Sequence, residues 1–195
     1  PPIVIKADGL AAGKGVLVAR SRDAAMDALT QLMVERRFSM AGERVLVEEY
    51  LEGREISVFA FVDGERVSSM VAACDYKRAL DGDVGPNTGG MGAFSPPPPS
   101  LWADDVERQV RTEVMEPVVR ALAKEACEYR GMLYAGLMVT RDGPKVIEFN
   151  CRLGDPEAQV VLPRLKGDLL DIMINTAQGR LEDSAFEWDP RPCVG

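Results

Sequence analysis

Short runs of the chain alternate apolar and polar positions with a period of two. Such runs predict strands, because successive strand side chains point to opposite faces. The first is Pro2-Ile3-Val4-Ile5-Lys6-Ala7, and Val16-Leu17-Val18-Ala19 follows it. Between about Asp23 and Arg36 the period becomes helical, with Ala24, Ala28, Leu32 and Met33 marking an inner face. Val45-Leu46-Val47-Glu48-Glu49 predicts a strand that ends in a bend. Two alternating runs, Ile56 to Val62 and Arg66 to Val71, are joined by Asp63-Gly64 and predict a hairpin.

Residues 74–95 are glycine-rich with little periodicity, which predicts a long loop, functional or disordered. Pro96 to Pro99 predict a stiff, polyproline-like connector. A helix starts near Asp104 with Val106, Val110 and Val114 on one face; Pro117 kinks or restarts it, and Gly131 is its expected C-cap. Leu133–Thr140 and Lys145–Asn150, joined by Asp142-Gly143, predict a second hairpin. Pro156 opens a helix to about Arg164, and Asp168 opens another towards Ala177. This order predicts an α+β chain of two lobes, residues 1–70 and 71–188, with no internal repeats.

Candidate chemistry lies where apolar strands turn polar. In Val146-Ile147-Glu148-Phe149-Asn150-Cys151-Arg152, the alternation puts Glu148, Asn150 and Arg152 on one face. A carboxylate and an amide oxygen suit a hard cation such as Mg²⁺, which binds one or two protein groups plus phosphate oxygens. A guanidinium one step on can neutralise a transferring phosphoryl group. The same residues also fit a strand end whose polar face is simply wet.

At the start of the chain, Gly9, Gly13 and Gly15 surround Lys14 between two strands. The spacing is not that of a Walker loop, which needs four residues between its glycines, then Lys with Ser or Thr, then a helix. Strand–loop–strand predicts a hairpin flap whose backbone approaches phosphates, with Lys6 as a phosphate ligand or else an edge decoration of its strand, and Lys14 at a mobile tip. Glu48, Glu49, Tyr50 and Leu51 end a strand that offers backbone groups to an adenine edge, and Glu55 past the bend can accept from ribose hydroxyls. A solvated acidic turn fits that segment equally. Lys77 and Arg78 fit either a substrate phosphate or solvent.

Composition narrows the picture. Lys and Arg number 23 against 31 Asp and Glu, a net charge of −8, so no broad basic surface for nucleic acid is expected. The chain has no histidine, which excludes Ser-His-Asp and Cys-His catalysis and His-ligated zinc. Cys74, Cys127, Cys151 and Cys193 stand far apart and read as free thiols of a reducing cytoplasm. Neither a signal peptide nor a membrane-length apolar run is visible.

Four segments together resemble the ATP-grasp superfamily and, within it, the phosphoribosylamine–glycine ligases. They are Ile5 to Val16, Glu48 to Gly53, Asp75 to Gly92 and Glu148 to Glu157, and the third is specific to this ligase. The resemblance implies two α/β lobes with antiparallel sheets enclosing a nucleotide cleft. It implies that ATP phosphorylates the glycine carboxylate and that the amine of 5-phosphoribosylamine then attacks, giving glycinamide ribonucleotide, ADP and phosphate in purine synthesis.

By the same likeness Lys6, Gly13, Lys14 and Gly15 hold nucleotide phosphates. Glu48, Glu49, Tyr50 and Leu51 line the adenine, and Glu55 meets the ribose. Glu148 and Asn150 bind Mg²⁺ or Mn²⁺, Arg152 faces the transferring phosphoryl group, and Lys77, Arg78, Asp155 and Glu157 meet substrate. The resemblance further implies a Rossmann-like domain before Pro1 and another domain beginning within 189–195, so that this chain alone binds ATP but forms little product. Two positions depart from the superfamily pattern. Gly136 stands where many members carry a further metal-binding acid, and Ser39-Met40 replace part of an expected glycine-containing turn. Another ATP-grasp carboxylate–amine ligase, or an ATP-binding module without turnover, are the alternatives.

Overall fold

The computed structural model describes residues 2–11, 14–82, 84–182 and 186–195. The chain forms two compact units, Pro1–Glu52 and Gly53–Gly195. The boundary thus falls at 52/53 rather than 70/71.

In the first unit, β1 (Ile3–Ala7) is central, with β2 (Val16–Ala19) and β3 (Val45–Glu49) antiparallel on either side. The helix α1 (Arg22–Leu29) starts at Ser21, whose hydroxyl accepts from the Ala24 amide, and runs into a π-helical segment, Thr30–Val34. Ile5, Ala28 and Leu32 form the core, joined by Leu17, Ala25, Leu29 and Val45. Met33, expected on the inner face, is exposed: the buried stripe runs through 25, 28, 29 and 32, the spacing of one helix face.

The second unit is built on a seven-stranded antiparallel sheet. Its central strand is β4 (Arg54–Asp63), which pairs with a short β5 (Arg66–Val67) across the Gly64 turn, where φ is +62°. The turn therefore falls where Asp63-Gly64 predicts it. Then come β6 (Val71–Asp75), β7 (Arg78–Leu80), β8 (Val84–Asn87) and β9 (Ala93–Ser95). The expected long loop at 74–95 thus contains the end of β6, a small β7–β8 hairpin and all of β9. Its glycines concealed the pattern because several have positive φ: Gly82, Gly85, Gly90 and Gly92.

The helices α2 (Asp104–Gln109) and α3 (Glu116–Lys124) flank a π-helical segment, Val110–Met115, and Pro117 follows directly where that segment gives way to α3. The helix stops at Lys124, well before Gly131; that glycine lies inside β10 (Arg130–Thr140). β10 pairs with β11 (Gly143–Asn150) and with β4. The chain continues through α4 (Ala158–Val161), β12 (Leu165–Lys166), α5 (Leu169–Ala177), β13 (Glu187–Trp188) and β14 (Cys193–Val194). The Asp168 side chain caps α5, as expected. Strand β14 pairs with β9 at the sheet's edge, so Cys193 and Val194 pack with the second unit.

The order β11-β10-β4-β6-β9-β14 puts β4 in the middle. Ile56, Val58, Ala60 and Val62 face Val110, Met115 and Val119, while Phe59 and Phe61 join clusters with Val160, Val161, Ile172 and Leu181. Burial on both faces explains the long apolar run of β4, and its ten-residue register with β10 assigns it to the second unit.

Candidate functional site

The first unit covers only one face of its sheet. Cross-strand register puts Val4, Lys6, Val16, Val18, Leu46 and Glu48 on the face away from the Ile5–Leu32 core. Val16, Val18 and Leu46 are exposed there. Lys6 lies among them, and its Nζ is 2.6 Å from Glu48 Oε2. A flat apolar strip around one ion pair suits a planar aromatic ring with charge at its edge.

The flap beside this face is tied down at its base. Ala7 N donates to Gly15 O at 2.9 Å, and a Cβ on Gly15 would stand 2.7 Å from Ala11 Cβ, so no larger residue fits without movement. Gly9 N donates to Ala41 O at 3.1 Å, and a Cβ there would meet Ala41 Cα at 2.6 Å. The Ser39–Gly42 turn therefore closes against the flap despite its altered sequence, with Ser39 at φ +52°. Lys14 is exposed, while Gly13 lies outside the described residues. Glu49 is exposed; Tyr50 and Leu51 are half-buried, and Arg20 lies over the Tyr50 ring at 5.4 Å.

The second unit gathers a polar cluster at one end of one sheet face. Register places Glu55 and Ser57 of β4, Tyr134 and Gly136 of β10, Glu148 and Asn150 of β11, and Ala73 of β6 on that face, with Asp75 next in alternation. Asn150 Nδ2 donates to Glu148 Oε1 at 3.1 Å, so these two side chains do share a face. The register slips between Gly136 and Leu137, which leaves Ile147 as the extra residue of β11 and keeps Glu148 opposite Gly136. A Cβ at 136 would stand 3.2 Å from Glu148 Cγ; the missing side chain leaves room for that carboxylate.

Lys77 is the cation of the cluster. It hydrogen-bonds Glu55 and lies 3.9 Å from Asp75 Oδ2. Burial opposes its charge, but Glu55 and Asp75, with Glu148 further off, raise its pKa overall, so it is fully protonated at neutral pH. Burial also pushes the Asp75 carboxyl up to about 6, against the pull of Lys77 and with the push of Glu157. Glu55, expected at the ribose, thus has a lysine partner.

Glu157 departs from its expected substrate role. It is only 3% exposed, and its Oε1 accepts from Ser57 Oγ at 2.9 Å and Tyr134 Oη at 3.0 Å. Burial, and then the Glu157 charge, raise the Tyr134 pKa, which keeps its hydroxyl a donor. Arg152 and Asp155 remain exposed: Arg152 Nη1 donates to Leu153 O at 2.8 Å, and Asp155 Oδ1 accepts from Gln159 at 2.8 Å. Arg78 lies out on β7 and donates to Gly85 O at 3.3 Å.

Sequence reasoning did not assign Asp75, Ser57 or Tyr134. Asp75 had a visible signal, since it ends an apolar strand two residues before Lys77 and so shares its side in alternation. Ser57 and Tyr134 had none, because single polar residues within apolar runs read as core.

The donor set fits a small hard cation. Glu148 and Asn150 offer two oxygens on one face, and no group of three or more acidic, Cys or His residues able to hold a metal occurs among the described residues. Mg²⁺ needs no more, because it keeps water and phosphate ligands.

Comparison with known proteins places the fold and the family. The biotin carboxylase domain of Hydrogenobacter thermophilus 2-oxoglutarate carboxylase, solved with MgADP and bicarbonate, aligns over 96% of this chain and 39% of its own, with a TM-score of 0.68 at 18% identity. That likeness is one of fold alone. Residues 1–158 match the family described as phosphoribosylglycinamide synthetase, ATP-grasp (A) domain, and the chain belongs to that family. It is 55% identical over 194 residues to the phosphoribosylamine–glycine ligase of Halalkalibacterium halodurans, covering all of this chain and 44% of that protein. It is 51% identical over 195 residues to the same ligase of Yersinia pestis, covering 45% of it. The crystal structure of the Thermotoga maritima ligase matches with a TM-score of 0.87 at 34% identity, over all of this chain and 48% of that one. The chain therefore spans a little under half the length of these relatives.

Proposed function

We propose that this chain carries the nucleotide and acyl-phosphate chemistry of a phosphoribosylamine–glycine ligase. The observation that carries the reading is the pair Glu148–Asn150 on one sheet face, with Lys77 close enough to feel the Glu148 charge, in a chain belonging to this family.

The exposed Val16, Val18 and Leu46 strip takes the adenine, and Lys6 holds the nucleotide phosphates, with the glycine flap covering them. Glu48, Glu49, Tyr50 and Leu51 form the adenine edge. Glu148 and Asn150 hold Mg²⁺ or Mn²⁺, which when bound draws charge from the phosphate oxygens. Arg152 neutralises the γ-phosphoryl group as it passes to the glycine carboxylate. Lys77 is held ready by Glu55 and Asp75 as a second cation for developing negative charge. Asp155 receives a substrate amine. The amine of 5-phosphoribosylamine attacks the glycyl phosphate, displacing phosphate and leaving glycinamide ribonucleotide. No described helix is long and apolar enough to cross a membrane. The free thiols at Cys74, Cys127, Cys151 and Cys193 suit a cytoplasmic biosynthetic enzyme. Partner segments of the longer relatives contribute the rest of the phosphoribosylamine pocket.

Hydroxylamine trapping tests the reading. With ATP, glycine and Mg²⁺, a full-length ligase that contains these residues is expected to form glycyl hydroxamate and ADP in equal amounts. With 5-phosphoribosylamine it is expected to form glycinamide ribonucleotide, identified by mass. ADP formation that ignores glycine would contradict the reading.

A further inference from the structure

The loop 151–157 carries Arg152 and Asp155 at the surface but ends in a buried carboxylate. Ser57 is fully buried and Tyr134 is 4% exposed, so substrate cannot reach the two hydroxyls that meet Glu157 Oε1. Those hydroxyls are also 2.7 Å from each other, which closes a triangle of oxygens beneath the loop. Tyr134 is the cross-strand neighbour of Asn150, and Ser57 that of Gly136, itself opposite Glu148. The triangle therefore lies on the sheet rows that carry the candidate metal ligands.

Two close approaches fix the loop further. A Cβ on Gly154 would stand 2.2 Å from Glu157 Oε2, so the backbone at 154 lies directly against the carboxylate. A Cβ on Gly90 would stand 2.4 Å from Pro156 Cδ, and Gly90 has φ +115°, so only glycine lets the 88–92 segment press on the loop. From Glu157 O the chain passes directly into α4, accepting from the Val160 and Val161 amides at 3.1 and 2.9 Å.

We propose that Glu157 is a positioning residue: a buried clip that fastens the 151–157 loop to Ser57 and Tyr134 and so sets where Arg152 and Asp155 stand. Its kinetic consequences rest on the proposed ligase reaction; its structural consequences do not. Glu157→Gln keeps an oxygen that accepts from both hydroxyls and is expected to preserve the clip. Glu157→Met removes it at similar volume. Tyr134→Phe removes one donor and keeps the ring that packs on Phe59 at 4.6 Å.

The test combines hydrogen exchange of the ligand-free protein with steady-state kinetics. In Glu157→Met, peptides spanning 151–161 are expected to exchange about tenfold faster or more, with the rest of the protein unchanged. The kcat of that variant is expected to fall about 10²-fold, the cost of misplacing a reacting group by ~1 Å, with the KM for ATP and glycine little changed. Glu157→Gln is expected to stay near wild type, and Tyr134→Phe to fall between. Combining Glu157→Met with Arg152→Ala is expected to cost far less than the sum of the single losses, because the clip acts through Arg152. A merely structural role would give additive losses and overturn the proposal. So would Glu157→Gln as damaged as Glu157→Met with a raised KM for glycine, which would mark a charge that meets substrate. Unchanged exchange at 151–161 in Glu157→Met would also overturn it. If a full-length ligase that contains these residues lacks activity, the proposed function fails while the exchange result still decides the clip.

Discussion

The two larger sheets of this protein are both antiparallel, yet they treat their faces differently. The three-stranded sheet buries one face on α1 and leaves the other open, with Val16, Val18 and Leu46 exposed around Lys6 and Glu48. The seven-stranded sheet covers both faces with helices and gathers its candidate site residues at one end of one face. Under the proposed function, the difference separates two tasks. Holding a flat aromatic ring needs a shallow apolar surface that gives up little on exchange with water. Moving a phosphoryl group needs charges held firmly in place, and firm placement needs a packed core beneath them.

The comparison is most easily broken at Phe59. It is fully buried under the polar cluster and packs on Tyr134. Phe59→Ala is expected to cost about 3–5 kcal/mol in denaturant unfolding. A loss below about 1 kcal/mol would mean that the second sheet is not the rigid platform described.

Asp75 sharpens the comparison through pH. Its folded pKa of about 6 lies above the ordinary 3.8, so between those values the folded state binds more protons than the unfolded one. The contribution to stability is therefore full below the ordinary value and is lost as pH rises through about 6. The full swing is roughly 3 kcal/mol at most. Asp75→Asn is expected to flatten this fall in a series of unfolding curves from pH 4 to pH 7. An unchanged slope would show that Asp75 is not held in a buried setting.

The smallest stability effect belongs to the open face. Val18→Thr is expected to change stability by less than about 0.5 kcal/mol, because the side chain is exposed and threonine suits a strand. The same change is expected to weaken ATP binding measurably by calorimetry. Equal ATP affinity would remove the strip from the nucleotide site.

Much of this was legible in the sequence, for physical reasons that differ by element. The shared face of Glu148 and Asn150 follows from alternation alone, and the bulge at Ile147 does not disturb it, because it precedes both residues. The β1–β2 flap was legible because two short amphipathic runs bracket glycines. The unit boundary was not, because β4 is apolar on both faces and its run does not show which sheet it joins. The β7–β8 hairpin was hidden by its glycines and exposed side chains, which give no periodicity. Glu157 reads as one more polar residue of a polar motif; only the long-range approach of Ser57 and Tyr134 reveals that it is buried.

The central claim is that Lys6 serves nucleotide binding while Glu148 serves the chemical step. Steady-state phosphate release with glycine and 5-phosphoribosylamine, measured side by side for Lys6→Ala and Glu148→Gln, tests it most directly. Lys6→Ala removes a charge-assisted contact of about 1.5–3 kcal/mol, so its KM for ATP is expected to rise roughly ten- to a hundredfold with most of kcat regained at saturating ATP. Glu148→Gln is expected to lower kcat about a hundredfold or more at any ATP concentration, because the bound cation contributes several kcal/mol to the transferring group. The same kinetic signature in both variants, or a Glu148→Gln protein that turns over near the wild-type rate, would contradict the account.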